Sequence, residues 1–258
     1  MGGCSQCLGP NTLRWLVVCL PSISSLPSRS FSQLILTEGI NRWDKAHTGV
    51  AAIANGLYLS TAAKLANRSP SSPSSGYYFN AAMESYTWFV GSGMINSDHT
   101  INDGLDLSTC RNNNATVFSY NQGAPLQGLA ELTWATGNSS YNTLANTIAA
   151  AAISALSDSS GIFHDSCETS GCDGDEQQFK GVFARAIEFL YVRAVGNDDT
   201  TRARYLNFLQ VNADAIWAHD KGPQNQLGLV WSGGNDVESV QTQGSALDVL
   251  VGAAVASL

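Results

Sequence analysis

A polar residue, a glycine and then a run of mostly apolar residues occur four times in this chain. They are Asn55-Gly56-Leu57, Gln122-Gly123-Ala124, Lys180-Gly181-Val182 and Gln243-Gly244-Ser245. The glycines lie 67, 58 and 63 residues apart, a period longer than the helical solenoids allow. Each run is rich in Ala and Gly and apolar nearly all round, so each predicts a helix buried on most faces. Between them, 78–90, 141–156 and 205–218 each open near a tyrosine and carry amphipathic spacing, as in Tyr205, Phe208, Leu209, Ala213 and Ile216. Buried helix, turn, amphipathic helix and long loop make one αα-hairpin repeated about every 60 residues. Strand signals are weak, with 229–231 the one candidate extended piece.

An inner ring of buried helices inside an outer ring makes an all-α fold, an α/α toroid of the (α/α)6-barrel type. Closure takes about six hairpins, or roughly 360 residues at this period. The 258 residues hold three complete hairpins and a final inner helix, about three and a half to four of the six. The ring is therefore expected to be incomplete, with repeats missing before Asn55, and inner helices along the gap would expose an apolar patch. An open αα-superhelix is the alternative. Residues 1–36 are atypical, with Cys4, Cys7, Cys19, three prolines and seven serines but no amphipathic period. The run 13–20 offers a short secretory apolar segment, without a clean small-residue cleavage site after it. The toroid domain is assigned to 37–258.

Only 13% of residues are charged and the net charge is −8, against about 25% charged in an average soluble chain. Such a surface gives no electrostatic attraction to phosphate backbones, which disfavours nucleic acid as a partner. No apolar run approaches the ~18 residues of a transmembrane helix. Asn67, Asn114 and Asn138 each open a glycosylation triplet. Cys167 and Cys172 suggest a local disulfide in an oxidising, extracellular setting. Zinc is the rival reading of that pair, but no further cysteine pair or histidine cluster completes four ligands. No metal site is assigned, and Cys110 has no evident mate.

A toroid gathers the starts of its inner helices around one mouth. Asn55, Gln122, Lys180 and Gln243 would then converge on one cavity, each beside a glycine that lets a ligand approach the backbone. The alternative is that they cap their helices, although Gln and Lys are poor caps. Tyr120, Phe179 and Trp231 would serve as sugar-stacking platforms, or as packing. Asp103, Asp106, Asp173, Asp175 and Glu176 are candidates to bind sugar hydroxyls, against solvated loop charge or capping. Asp175 and Lys180 are the first choices, then Asp103.

At these residues the chain resembles glycoside hydrolase family 76, the endo-α-1,6-mannanases. The matching segments are Ile53-Ala-Asn-Gly-Leu57, Phe118-Ser-Tyr-Asn-Gln-Gly123, Cys167-Glu-x3-Cys172-Asp-Gly-Asp175-x3-Phe179-Lys-Gly181 and Gln241-Thr-Gln-Gly-Ser-Ala-Leu-Asp248, in that order. The resemblance implies cleavage or transfer of α-1,6-linked mannose by a secreted or cell-wall-associated enzyme, with no cofactor. It also places Tyr120, Asn121 and Gln122 at the substrate. The family carries its catalytic pair as adjacent aspartates followed by tryptophan, one repeat before the Asn-Gly helix. Upstream of that helix the only acidic residues are Glu38 and, just after Trp43, Asp44, and the sole Asp-Asp pair of this chain, Asp198-Asp199, reads as an exposed turn. The expectation is thus a family member without its catalytic pair, or a non-catalytic mannan-binding relative. Another α/α-toroid carbohydrate enzyme, such as an epimerase, would need a histidine constellation. His47, His99, His164 and His219 are scattered, and none begins an inner helix.

Overall fold

Among the described residues, eight α-helices follow one another in chain order. They are α1 (Ala52–Arg68), α2 (Tyr77–Gly91), α3 (Ser119–Gly123), α4 (Leu126–Thr136), α5 (Ser140–Leu156), α6 (Phe179–Arg193), α7 (Asp199–Ala215) and α8 (Val240–Ala256). The structure, a computed structural model, describes residues 49–69, 74–194, 196–234 and 237–257. A small antiparallel sheet joins β1 (Val50–Ala51), β2 (Gly104–Asp106) and β3 (Arg111–Asn112), with Val50 opposite Leu105 and Asp106 opposite Arg111. The expected extended piece at 229–231 is not a strand: it runs into a turn closed by the Gly233 N–H donating to the Val230 carbonyl (2.8 Å), and Trp231 is fully buried.

The inner helices α1, α3–α4, α6 and α8 pack in sequence order, with α2, α5 and α7 outside them. This is the α/α toroid, and among the described residues it is an open one: α8 does not pack against α1. The repeated glycines explain the inner spacing. A Cβ on Gly56 would lie 2.9 Å from the Ala124 Cβ, one on Gly123 2.8 Å from the Phe183 Cα, and one on Gly181 2.6 Å from the Ser245 Cα. Each glycine therefore admits the next inner helix at the height of that helix's own repeat. This corrects the expectation that the glycines open the backbone to a ligand. Gly244, the fourth, meets nothing within 4 Å.

That open face continues along α8 as Val240, Leu247, Val251 and Val255, with Val240 87% exposed. At the other end of the arc, Leu57 and Leu65 of α1 are exposed. The expected apolar surface along the gap is present on both bordering helices.

The second inner helix is broken in two. Pro125 has no N–H to donate, and Ser60 of α1 inserts its hydroxyl into the ladder, donating to the Ala124 carbonyl (2.5 Å) and accepting from the Gly128 N–H (2.9 Å). Outer helix α7 starts at Asp199, six residues before the tyrosine expected to open it. Asp198, in extended conformation, caps it by accepting from the Thr201 N–H (2.7 Å). The Asp-Asp pair is therefore a helix start rather than a free turn. Layers are tied by Phe163, Phe183 and Phe208, a loop residue, an inner residue and an outer residue, whose centroids lie 4.8 to 5.5 Å apart.

Candidate functional site

The polar residues before Gly123, Gly181 and Gly244 each tie their helix to the loop that arrives from the preceding outer helix. Each of those loops closes on a β-bridge, Ile95 to Ile101, Ser157 to Phe163 and Lys221 to Leu227. Gln122 donates to the Ile101 carbonyl and accepts its N–H, both at 2.7 Å. Lys180 reaches the Phe163 carbonyl (3.4 Å), and Gln243 accepts from the Leu227 N–H (2.9 Å). Asn55 donates to the Ala51 carbonyl (2.8 Å). Asn55, Gln122 and Lys180 are buried.

This corrects the expected convergence of these side chains on a cavity. Gln122, Lys180 and Gln243 hold loops, because these inner-helix starts are covered by the loop before them, while Asn55 is buried with its amide bonded to Ala51 at the start of its own helix. They are not caps either: Asn55, Gln122 and Gln243 sit a turn inside helices that begin at Ala52, Ser119 and Val240. Trp231 is likewise no open platform. It is fully buried, and the Lys180 ammonium lies 4.1 Å from its ring centre.

The cavity at this end has a volume of about 370 Å³ and is lined by Gly49, Val50, Ala51, Asp103, Gly104, Leu105, Asn113 and Tyr120. Its wall is the sheet edge and the start of α3. Tyr120 stacks on Phe179, the first residue of α6, with centroids 3.7 Å apart and planes 6° from parallel. Its hydroxyl donates to Asp103 Oδ1 (3.4 Å), which also accepts from Asn121 Nδ2 (3.1 Å). Burial, then the Asp103 charge, drives the Tyr120 phenol far above its ordinary pKa, so it stays protonated and a donor. Asn121 is buried, and its Oδ1 has no partner among the described residues. Of the expected site residues, Asp103, Tyr120, Asn121 and Phe179 are thus brought together. Asp175 is exposed at the turn before α6 and is not among the residues that line the cavity.

Sequence reasoning missed Asp165 and Glu168. Asp165 is 3% exposed; burial raises its carboxyl to about 6, against the pull of its bonds from Ser119. Glu168 pairs with Lys180 Nζ (2.5 Å) and His164 Nδ1 (2.5 Å). The signal was weak: Asp165 and Glu168 stand three apart, the spacing of a capping box. Cys167 and Cys172 form a disulfide, which commits both sulfurs and settles the zinc alternative for that pair. Cys110 is also disulfide-bonded. Asn114 and Asn138 are exposed, whereas Asn67 Nδ2 is committed to the Glu131 carbonyl and carboxylate (2.9 and 2.6 Å). Glu38, Trp43, Asp44, His47 and residues 1–36 lie outside the described residues.

A family model described as Glycosyl hydrolase family 76 matches residues 36–257. Mannan endo-1,6-alpha-mannosidase DCW1 of Saccharomyces cerevisiae is 27% identical over 223 residues, covering 81% of this chain and 46% of that protein. The chain spans about half the length of the curated relatives it matches. Among solved structures, the GH76A alpha-1,6-mannanase of a Salegentibacter species superposes with a TM-score of 0.72 at 20% identity, over 83% of this chain and 62% of that one. Dfg5 of Chaetomium thermophilum, in complex with glucosamine, gives 0.68 at 23% identity, over 85% and 53%. These two likenesses establish the shared fold.

Proposed function

The chain belongs to glycosyl hydrolase family 76, and from that premise we propose that its cavity binds α-1,6-linked mannan. The observation that carries this is Tyr120 beside Asp103 on the cavity wall, its ring backed by the buried Phe179. A pyranose offers an apolar face to an aromatic ring and hydroxyls to a carboxylate, and these residues offer both surfaces side by side. The named activity of the yeast relative supports the choice of linkage.

As a glycoside hydrolase of this family, the protein acts by double displacement. One carboxylate attacks the anomeric carbon and displaces the leaving sugar, whose oxygen takes a proton from a second, and water then releases the glycosyl group. The two stand about 5–5.5 Å apart. Asp103 is the one carboxylate on the cavity wall among the described residues. It serves as a hydrogen-bond acceptor for substrate hydroxyls, and the pair comes from sequence other than the described residues. The same observation favours a second reading, in which this chain by itself holds mannan without cutting it. The setting is secreted or cell-wall-associated, with glycans on the exposed Asn114 and Asn138 and none on Asn67.

The test is calorimetric titration with α-1,6-mannotriose alongside analysis of its products on linear α-1,6-mannan. We expect saturable binding that Asp103→Ala weakens about tenfold, the loss of one charge-assisted hydrogen bond. Turnover that survives Asp103→Asn would support the acceptor role. Absence of binding would overturn the proposal.

A further inference from the structure

Two residues of one short turn each hold one ring of the stacked pair. The turn is a 3-10 helix, Ser166–Thr169, opened by a capping box in which Asp165 and Glu168 face each other. Asp165 reaches 46 residues back along the chain, accepting from the Ser119 N–H (2.8 Å) and hydroxyl (2.5 Å). Ser119 is the first residue of α3, and Tyr120 is its neighbour. Glu168 Oε1 meets Lys180 Nζ at 2.5 Å, and Lys180 is the neighbour of Phe179 at the start of α6.

The same Glu168 Oε1 accepts from the Asp165 N–H (3.2 Å), so the two carboxylates are braced through one turn. The Glu168 Oε2 holds His164, which faces Asp158 at 3.4 Å and thereby anchors the turn toward the end of α5. Cys167, inside the turn, is bonded to Cys172. Lys180 is 2% exposed and has the Leu229 carbonyl at 2.7 Å as a further acceptor, so its position is set from three sides.

We propose that the turn from Asp165 to Glu168 is a positioning element for the sugar platform, fixing Tyr120 through Ser119 and Phe179 through Lys180 so that the two rings stay stacked and Tyr120 keeps its place on the cavity wall. Neither carboxylate touches the sugar; both act through the residue next to a ring. The geometry favours this role over simple loop anchoring because both bonds end on the first two residues of a helix, where a small shift rotates the adjoining ring. The inference rests on the mannan-binding reading for its consequence in affinity, and on the stack alone for its geometry.

The experiment follows the Tyr120 ring resonances by NMR, with Phe179→Leu as the unstacked reference, and titrates each variant with α-1,6-mannotriose. Asp165→Ala should move the Tyr120 ring shifts toward the Phe179→Leu values and weaken mannotriose about tenfold. Asp165→Asn should restore both, since its amide oxygen accepts the Ser119 N–H and its nitrogen donates to the Ser119 hydroxyl. Ser119→Ala removes one of the two bonds and should produce a smaller change in the same direction, which keeps the test available if Asp165→Ala does not fold. For the other arm, Glu168→Leu paired with Lys180→Met removes both buried charges together and leaves neither unpaired. It should loosen the stack from the Phe179 side.

Unchanged Tyr120 ring shifts in folded Asp165→Ala, or failure of Asp165→Asn to restore them, would overturn the proposal. A native chain that binds no mannotriose but shows the ring shift would overturn the function proposed above and leave the clamp standing.

Discussion

At the scale of the single residue, Asp165 ties the stability of the fold to pH. Its carboxyl is raised to about 6, first by burial, with Glu168 adding to the rise and the Ser119 bonds and Lys180 opposing it. The folded state therefore holds a proton that the unfolded chain releases. Its contribution to stability is full below the ordinary carboxylate range and is lost as pH rises through about 6. His164 is raised chiefly by its bond to Glu168, so its contribution is likewise present at acid pH and lost as pH rises past its elevated value. For Glu168 burial pulls upward, but His164 and Lys180 win and lower it, so its contribution is lost only as pH falls through that lowered value. The three together place greatest stability on the acid side, above the lowered Glu168 value and below about 6. Thermal melting should show a midpoint a few degrees higher at pH 5.5 than at pH 8, with about 1 kcal/mol of the difference coming from Asp165. Asp165→Asn should remove that part of the difference and leave the part due to His164. A native midpoint independent of pH over this range would contradict the assignment.

Among elements, the inner helices owe their spacing to their glycines. Gly181→Ala places a methyl 2.6 Å from the backbone of Ser245 and should lower stability by about 1–3 kcal/mol through overpacking. Gly244→Ala meets open space and should raise it by about 0.5–1 kcal/mol, the usual gain of Ala over Gly inside a helix. Urea midpoints of the two variants decide the matter, and a destabilising Gly244→Ala would show that the face of α8 is occupied. The order of inner and outer helices was legible in the chain, because burial all round and amphipathic spacing are written in the residue pattern. The break at Pro125 depends on a hydroxyl from Ser60, a partner 65 residues away that no local pattern announces. The polar–glycine pair was legible as a repeat, but its roles were not. Whether Gln122 faces a cavity or a loop depends on how the segment around Ile101 folds back, and Lys180 finds Glu168 only once the turn at 165–168 is in place. Of the site, Tyr120 and Phe179 were visible as aromatics near helix starts; their stacking on each other, and Asp103 beneath the phenol, required the fold.

At the scale of the molecule, the described residues place four inner helix positions in an arc whose end helices, α1 and α8, expose apolar side chains. The cavity lies at the α1 end of that arc, between the sheet and the start of α3. At the opposite ends of the inner helices, Trp134 and Arg193 form a second aromatic surface, with the guanidinium 5.6 Å from the ring centre. The central claim is that sugar binds at the first of these places and not at the second. Amide chemical-shift mapping during a titration with α-1,6-mannotriose tests it directly. Residues 49–51, 103–105, 113 and 120 should shift together along one saturable curve while Trp134 and Arg193 stay still. Shifts confined to Trp134, Arg193 and their neighbours, or no shift at saturating sugar, would contradict the account.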